Sequence, residues 1–212
     1  MGRYNFDKIV DRKHTKSLKY DFAVQRGKPA DVLPFWVADM DFEIPSELKQ
    51  VLLDRVNHGI FGYTESDDAY FNVLKEWFAS RFNWNIDKKW LVKTPGVVFA
   101  LAMAVRAFTK EGEGVLINQP VYYPFSMVID DNDRNLINVP LIQGADTYTI
   151  DFEGVERAIV EHNVTLFLLC NPHNPVGRVW TEDELKRLGD ICIKHNVIII
   201  SDEIHADFVW DG

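Results

Sequence analysis

Val164-Thr-Leu-Phe-Leu-Leu-Cys170, followed by Asn171-Pro-His-Asn-Pro-Val-Gly177, decides the fold. Seven almost wholly apolar residues read as a strand buried on both faces, and such strands belong to parallel sheets covered by helices. The flanking sequence agrees. Upstream, residues 152–162 read as a helix. Downstream, Thr181-Glu-Asp-Glu184 is a capping box that opens a helix to about His195, and residues 197–201 form another apolar strand. The alternation extends back to residue 90, with strands expected at 90–93, 114–118 and 136–140 and helices at 97–108 and 123–129. Strands alternating with helices predict a three-layer α/β/α domain with a mainly parallel sheet. Functional groups in such a sheet gather at the carboxyl ends of the strands.

The first forty residues are irregular and aromatic-rich, with Phe35, Trp36 and Phe42 around an acidic pair in Trp36-Val-Ala-Asp-Met-Asp-Phe42. Ser46 is expected to cap a helix that carries Leu48, Val51, Leu52 and Val56 and stops at Gly59. A glycine-marked loop covers 59–64. A second helix follows Ser66, with Tyr70, Leu74, Trp77, Phe78 and Phe82 at helical spacing.

Composition narrows the function. The 212 residues are 47% hydrophobic and 26% charged, a mixture that buries a sizeable core and argues against disorder. Net charge is −9 with no basic stripe, which disfavours nucleic acid and anionic membranes as partners. Cys170 and Cys192 are too few for a disulfide scaffold and sit in apolar runs, so a reduced, cytoplasmic protein is expected. No apolar stretch is long enough to span a bilayer, and the first residues lack a signal-peptide core.

Four strand ends carry unusual polar segments. Thr94-Pro-Gly-Val-Val98 opens an apolar helix, where exposed N–H groups and the helix dipole make either a phosphate cradle or simply the turn into the helix. No GxxxxGK or GxGxxG pattern supports a P-loop or dinucleotide site. In Gln119-Pro-Val-Tyr-Tyr-Pro124 the Tyr122 ring is either a stacking platform or a packed surface residue. The two Asn-Pro pairs of residues 171–177 restrict both asparagines, so Asn174 can present its amide to a ligand oxygen. Asp202, in Ser201-Asp-Glu-Ile-His205, ends a strand that runs through Val197 to Ile200. Its carboxylate suits a cationic ring nitrogen, a helix cap or a structural ion pair. Asp202, Glu203 and His205 could also be metal ligands, but their spacing fits no strong metal motif, and His173 and His58 read as structural or exposed.

In this order the segments resemble the fold-type I pyridoxal 5'-phosphate (PLP) enzymes, the aminotransferase class I/II superfamily. Leu33–Phe42, His58–Thr64, Asn171–Trp180 and Ser201–Phe208 narrow the resemblance to the MalY/PatB-type cystathionine β-lyase branch. The resemblance covers essentially the whole chain but only the first half of the family's usual length. It implies PLP as cofactor. The phosphate would lie at Gly96, Val97 and Val98, and the ring on Tyr122. Asn174 and His205 would face the 3' oxygen, Asp202 the ring nitrogen. Tyr63 would reach the neighbouring subunit's phosphate, with Val37 and Ala38 on the substrate-carboxylate side. It further implies residues 1–45 as part of a small domain and 46–212 as a partial, C-terminally incomplete PLP-binding domain.

The family's Schiff-base lysine lies some thirty residues beyond the aspartate, past Gly212, so the 212 residues alone are expected to be inactive. The implied activity is β-elimination from sulfur-containing amino acids by a homodimer. An ordinary aminotransferase, or a non-catalytic truncated or regulatory chain, stand as alternatives.

Overall fold

A computed structural model describes residues 4–210, whose contacts form two units divided between Ile86 and Asp87, close to the change of sequence pattern near residue 90. The first unit holds helices α1 (Leu18–Asp21), α2 (Ser46–His58) and α3 (Asp68–Phe82). Gly59, with φ of 75°, terminates α2 in the left-handed conformation that glycine adopts freely. Ser46 is the first residue of α2 rather than its cap: Pro45 occupies the cap position, and the Ser46 hydroxyl turns to Glu47. Asp67 caps α3 by accepting from the Tyr70 N–H at 3.2 Å.

The acidic pair of residues 36–42 is neutralised within this unit. Arg12 binds both Asp39 and Asp41, Lys19 reaches Asp41 at 2.8 Å, and the Tyr20 hydroxyl donates to Asp41 at 3.1 Å. Lys19 and then Arg12 hold the Asp41 carboxyl well below its ordinary range, at about 2. Val37 and Ala38 immediately precede this cluster.

The second unit is the α/β domain. In chain order it contains α4 (Val97–Phe108), β1 (Gly114–Ile117), α5 (Pro124–Asp130), β2 (Asn135–Asn138), β3 (Ile142–Gln143), β4 (Tyr148–Thr149), α6 (Phe152–Glu161), β5 (Val164–Cys170), α7 (Glu182–Lys194) and β6 (Ile198–Asp202). The main sheet has the order β2-β1-β5-β6, and every pair is parallel. Successive side chains of a strand face opposite ways, and the core divides accordingly. Leu116, Phe167 and Leu169 pack with Val155, Ile159, Leu188 and Cys192 of α6 and α7. Val115, Ile117, Leu166, Leu168 and Cys170 pack with Leu101, Val105, Phe125 and Ile129 of α4 and α5. The result is the expected three-layer sandwich.

Thr181 and Glu184 complete the capping box of α7. The strand expected at residues 90–93 does not form. Asp87 accepts from the Lys89 N–H at 3.0 Å and folds residues 88–90 into a 3-10 turn, leaving Trp90 and Val92 exposed. An apolar run without a neighbouring strand has no ladder to join. The β3–β4 antiparallel hairpin leaves no signal in the sequence, because two residues per strand carry no periodicity.

Phe167 is fully buried at the centre of β5. Phe167→Ala should destabilise the fold by about 3–5 kcal/mol, through lost burial and the cavity left behind. Ile193→Ala, on the exposed side of α7, should change it by less than about 0.5 kcal/mol. Urea unfolding of the two variants beside the wild type checks both.

Candidate cofactor site at the carboxyl edge of the sheet

β1, β5 and β6 are neighbours, so the segments leaving their carboxyl ends emerge side by side. These segments carry Tyr122, Asn174, and Asp202 with His205. Helix α4 packs on the same sheet and enters β1 after a five-residue turn. It therefore runs antiparallel to the strands, with Gly96, Val97 and Val98 toward the carboxyl edge. The geometry thus gathers Gly96, Val97, Val98, Tyr122, Asn174, Asp202 and His205 at one edge of one sheet.

Among the described residues no side chain caps the start of α4, and its first carbonyl bond runs from the Ala100 N–H to Gly96 at 3.0 Å. The preceding amides are free to bind an anion, aided by the helix dipole. A β-carbon placed on Gly96 would meet nothing within 4 Å, so the backbone there is open to a ligand.

Asp202 is 6% exposed and lies in register with Cys170, on the α4 face of the sheet. Its Oδ1 accepts from the Ile204 N–H at 3.1 Å. No cation pairs with it among the described residues. Burial therefore holds its carboxyl above the ordinary range, partly offset by the Ile204 N–H and His205. An unpaired buried carboxylate is costly unless a positive group completes it. The His205 ring is half-buried, 6.4 Å from that of Phe208.

Asn174 is half-buried, and its backbone N–H points to the Cys170 sulfur at 3.4 Å. Burial pushes the Cys170 thiol up to about 11, so it serves as a packed neutral group and not as a nucleophile. Tyr122 is 36% exposed, with its ring 5.3 Å from that of Tyr123. Its loop is pinned by Asn138, whose Oδ1 accepts from the Gln119 backbone N–H at 3.0 Å and whose amide donates to Gln119 Oε1 at 2.9 Å, and by Asn118, whose amide donates to the Val139 carbonyl at 2.8 Å. Neither asparagine was anticipated. Their only signal was position, one at the end of each of two adjacent strands. Tyr63, fully exposed, and Val37 and Ala38 belong to the first unit.

The carboxylate of Asp202 supplies a pH test. Its folded-state proton is held to higher pH than in the unfolded chain, so its contribution to stability falls as pH rises above about 4, the unfolded value. Asp202→Asn keeps the Ile204 contact and abolishes that loss. The variant's advantage in Tm should be nil near pH 3 and grow as pH rises toward neutral. A thermal-melt series across pH reads it.

The chain resembles proteins already known. A family model described as aminotransferase class I and II matches residues 30–212. The chain is 43% identical over 208 residues to cystathionine β-lyase PatB of Bacillus subtilis, covering 98% of this chain and 54% of that protein. It is 36% identical to protein MalY of Escherichia coli, covering 98% and 53%. Among solved structures it superposes on cystalysin from Treponema denticola, which contains PLP, with a TM-score of 0.90 and 41% identity over 99% of this chain and 54% of the other. The PLP-bound C-S lyase from Staphylococcus hominis gives 0.89 and 36%, over 97% and 52%. The chain spans about half the length of the relatives it matches. It belongs to the aminotransferase class I and II family.

Proposed function

We propose that the complete protein is a PLP-dependent carbon–sulfur β-lyase, a cytoplasmic homodimer that cleaves cysteine S-conjugates such as cystathionine to a thiol, pyruvate and ammonia. The observation that carries the cofactor is Asp202, a buried carboxylate with no cation partner among the described residues, at the same sheet edge as a helix start that no side chain caps among them. A negative group facing an anion-binding turn across one sheet edge suits a molecule with a cationic ring and a phosphate. Support for the lyase chemistry comes from the relatives named cystathionine β-lyase and C-S lyase.

When bound, PLP supplies an electron sink for charge developing at the substrate's α-carbon. The residues of this chain would bind and orient it. The N–H groups at Gly96, Val97 and Val98 hold the phosphate, and the Tyr122 ring covers one face of the pyridine. The Asn174 amide and His205 face the 3' oxygen. Asp202 keeps the ring nitrogen protonated, since a buried anion favours the charged form of its partner. Tyr63 is assigned to the phosphate of the neighbouring subunit, and Val37 and Ala38 to the substrate-carboxylate side. In the complete protein, residues 1–45 are assigned to the small domain and 46–212 to the PLP-binding domain.

The test uses the full-length protein with PLP and cystathionine, without added keto acid. Steady pyruvate release is expected. No pyruvate, with the amino group passing instead to an added keto acid, would replace the reading with an aminotransferase. Asp202→Asn should lower kcat by about 10²- to 10³-fold, the usual loss when one fixed electrostatic partner is removed.

A further inference from the structure

His173 lies between the two Asn-Pro pairs and is 3% exposed. Its Nε2 is 2.9 Å from the carbonyl of Pro120, in the loop that carries Tyr122. A carbonyl only accepts, so Nε2 bears the proton. Among the described residues this is the one hydrogen bond that joins the Tyr122 loop to the Asn174 loop.

Everything around the imidazole fixes its aim. The His173 N–H donates to the Arg178 carbonyl at 2.7 Å, and the Gly177 N–H returns to His173 at 2.9 Å. Trp180 meets the imidazole edge-on, 5.3 Å between centroids at 78°. Trp180 is itself held by a bond from its Nε1 to the Cys170 carbonyl at 3.0 Å. Arg178 lies over the Trp180 ring at 4.6 Å, pairs with Glu184 at 2.5 Å and donates to the Tyr148 carbonyl. Trp180 thus packs against the imidazole, and the hydrogen bond at Nε2 reaches the neighbouring loop.

Packing alone does not explain this residue. His173 Nδ1 is the one buried side-chain nitrogen or oxygen without a partner among the described residues. An apolar ring of similar size would fill the space without that orphaned atom. Burial also holds the imidazole below its ordinary protonation range, partly offset by the carbonyls of Pro120 and Cys170. What remains is the bond at Nε2.

We propose that His173 is a positioning residue for the cofactor: its Nε2–H fixes the spacing between the ring-covering Tyr122 and the amide of Asn174. The proposal rests on the PLP reading above. Without the bond the two loops drift apart independently, and the ring loses its fixed orientation between them.

The experiment titrates PLP into the full-length apoprotein and follows the dissociation constant and the circular dichroism of the bound cofactor. His173→Phe keeps the ring and removes the donor. It should raise the dissociation constant about tenfold, the effect of one lost buried hydrogen bond, and diminish the dichroic band. His173→Gln, whose amide reaches as far as Nε2, should restore most of both; His173→Asn, which reaches only as far as Nδ1, should not. If the Phe variant fails to fold, the Gln–Asn comparison carries the test.

In a Tyr122→Ala background the effect of His173→Phe should shrink below about twofold, because coupled residues are not additive. Equal behaviour of Gln and Asn, or an undiminished effect beside Tyr122→Ala, would overturn the proposal. A wild-type protein that binds no PLP overturns the cofactor reading itself. Normal wild-type binding with an unaffected His173→Phe overturns the positioning role alone.

Discussion

Strand β5 is hydrogen-bonded on both edges, to β1 and to β6, and covered by helices on both faces. That constraint organises the domain. A strand so enclosed admits no polar side chain along most of its length, which is why residues 164–170 are almost wholly apolar. Its polar chemistry is displaced to the end, where the backbone leaves the sheet and meets the turns from β1 and β6. The register of Cys170 with Asp202 then sets a thiol and a carboxyl side by side on the α4 face. Burial keeps the first neutral and leaves the second in need of a cation.

Two carboxylates, one in each unit, stand in opposite situations. In the first, Asp41 is saturated by Lys19, Arg12 and Tyr20, and its carboxyl is driven far down. It is a structural anion with no capacity to spare. In the second, Asp202 has one backbone donor and no counter-charge among the described residues. Both lie next to residues with an expected functional role, yet only Asp202 is left chemically incomplete. That difference, more than acidity or position in the sequence, separates a scaffold carboxylate from a ligand-seeking one.

Much of this was legible in the sequence where the physics is local. The apolar run of β5, the capping box at Thr181 and the glycine stop after His58 each depend on a few adjacent residues. The resemblance to PLP enzymes suggests roles for Asp202, Asn174 and Tyr122, and the sheet order brings their segments to one edge. Partnerships between distant segments escaped. Arg12 and Lys19 on the acidic pair, Asn138 against Gln119, and His173 against Pro120 span from about twenty to over fifty residues of chain. The failed strand at 90–93 has the same origin, since a strand is defined by its neighbour as much as by its own composition.

The unequal support of the strands also separates the site in time. β5 has two ladders, whereas β6 has one among the described residues, and Ile198 is partly open to solvent. Amides on such a strand open by local fluctuation more readily than those enclosed on both sides. Hydrogen exchange should therefore run in sequence across the sheet, with β5 slowest and β6 ahead of it. The loop of Asn174 hangs from a strand held on both edges, and Asp202 ends one held on a single edge among the described residues. A ligand that bridges the two would quiet β6 far more than β5.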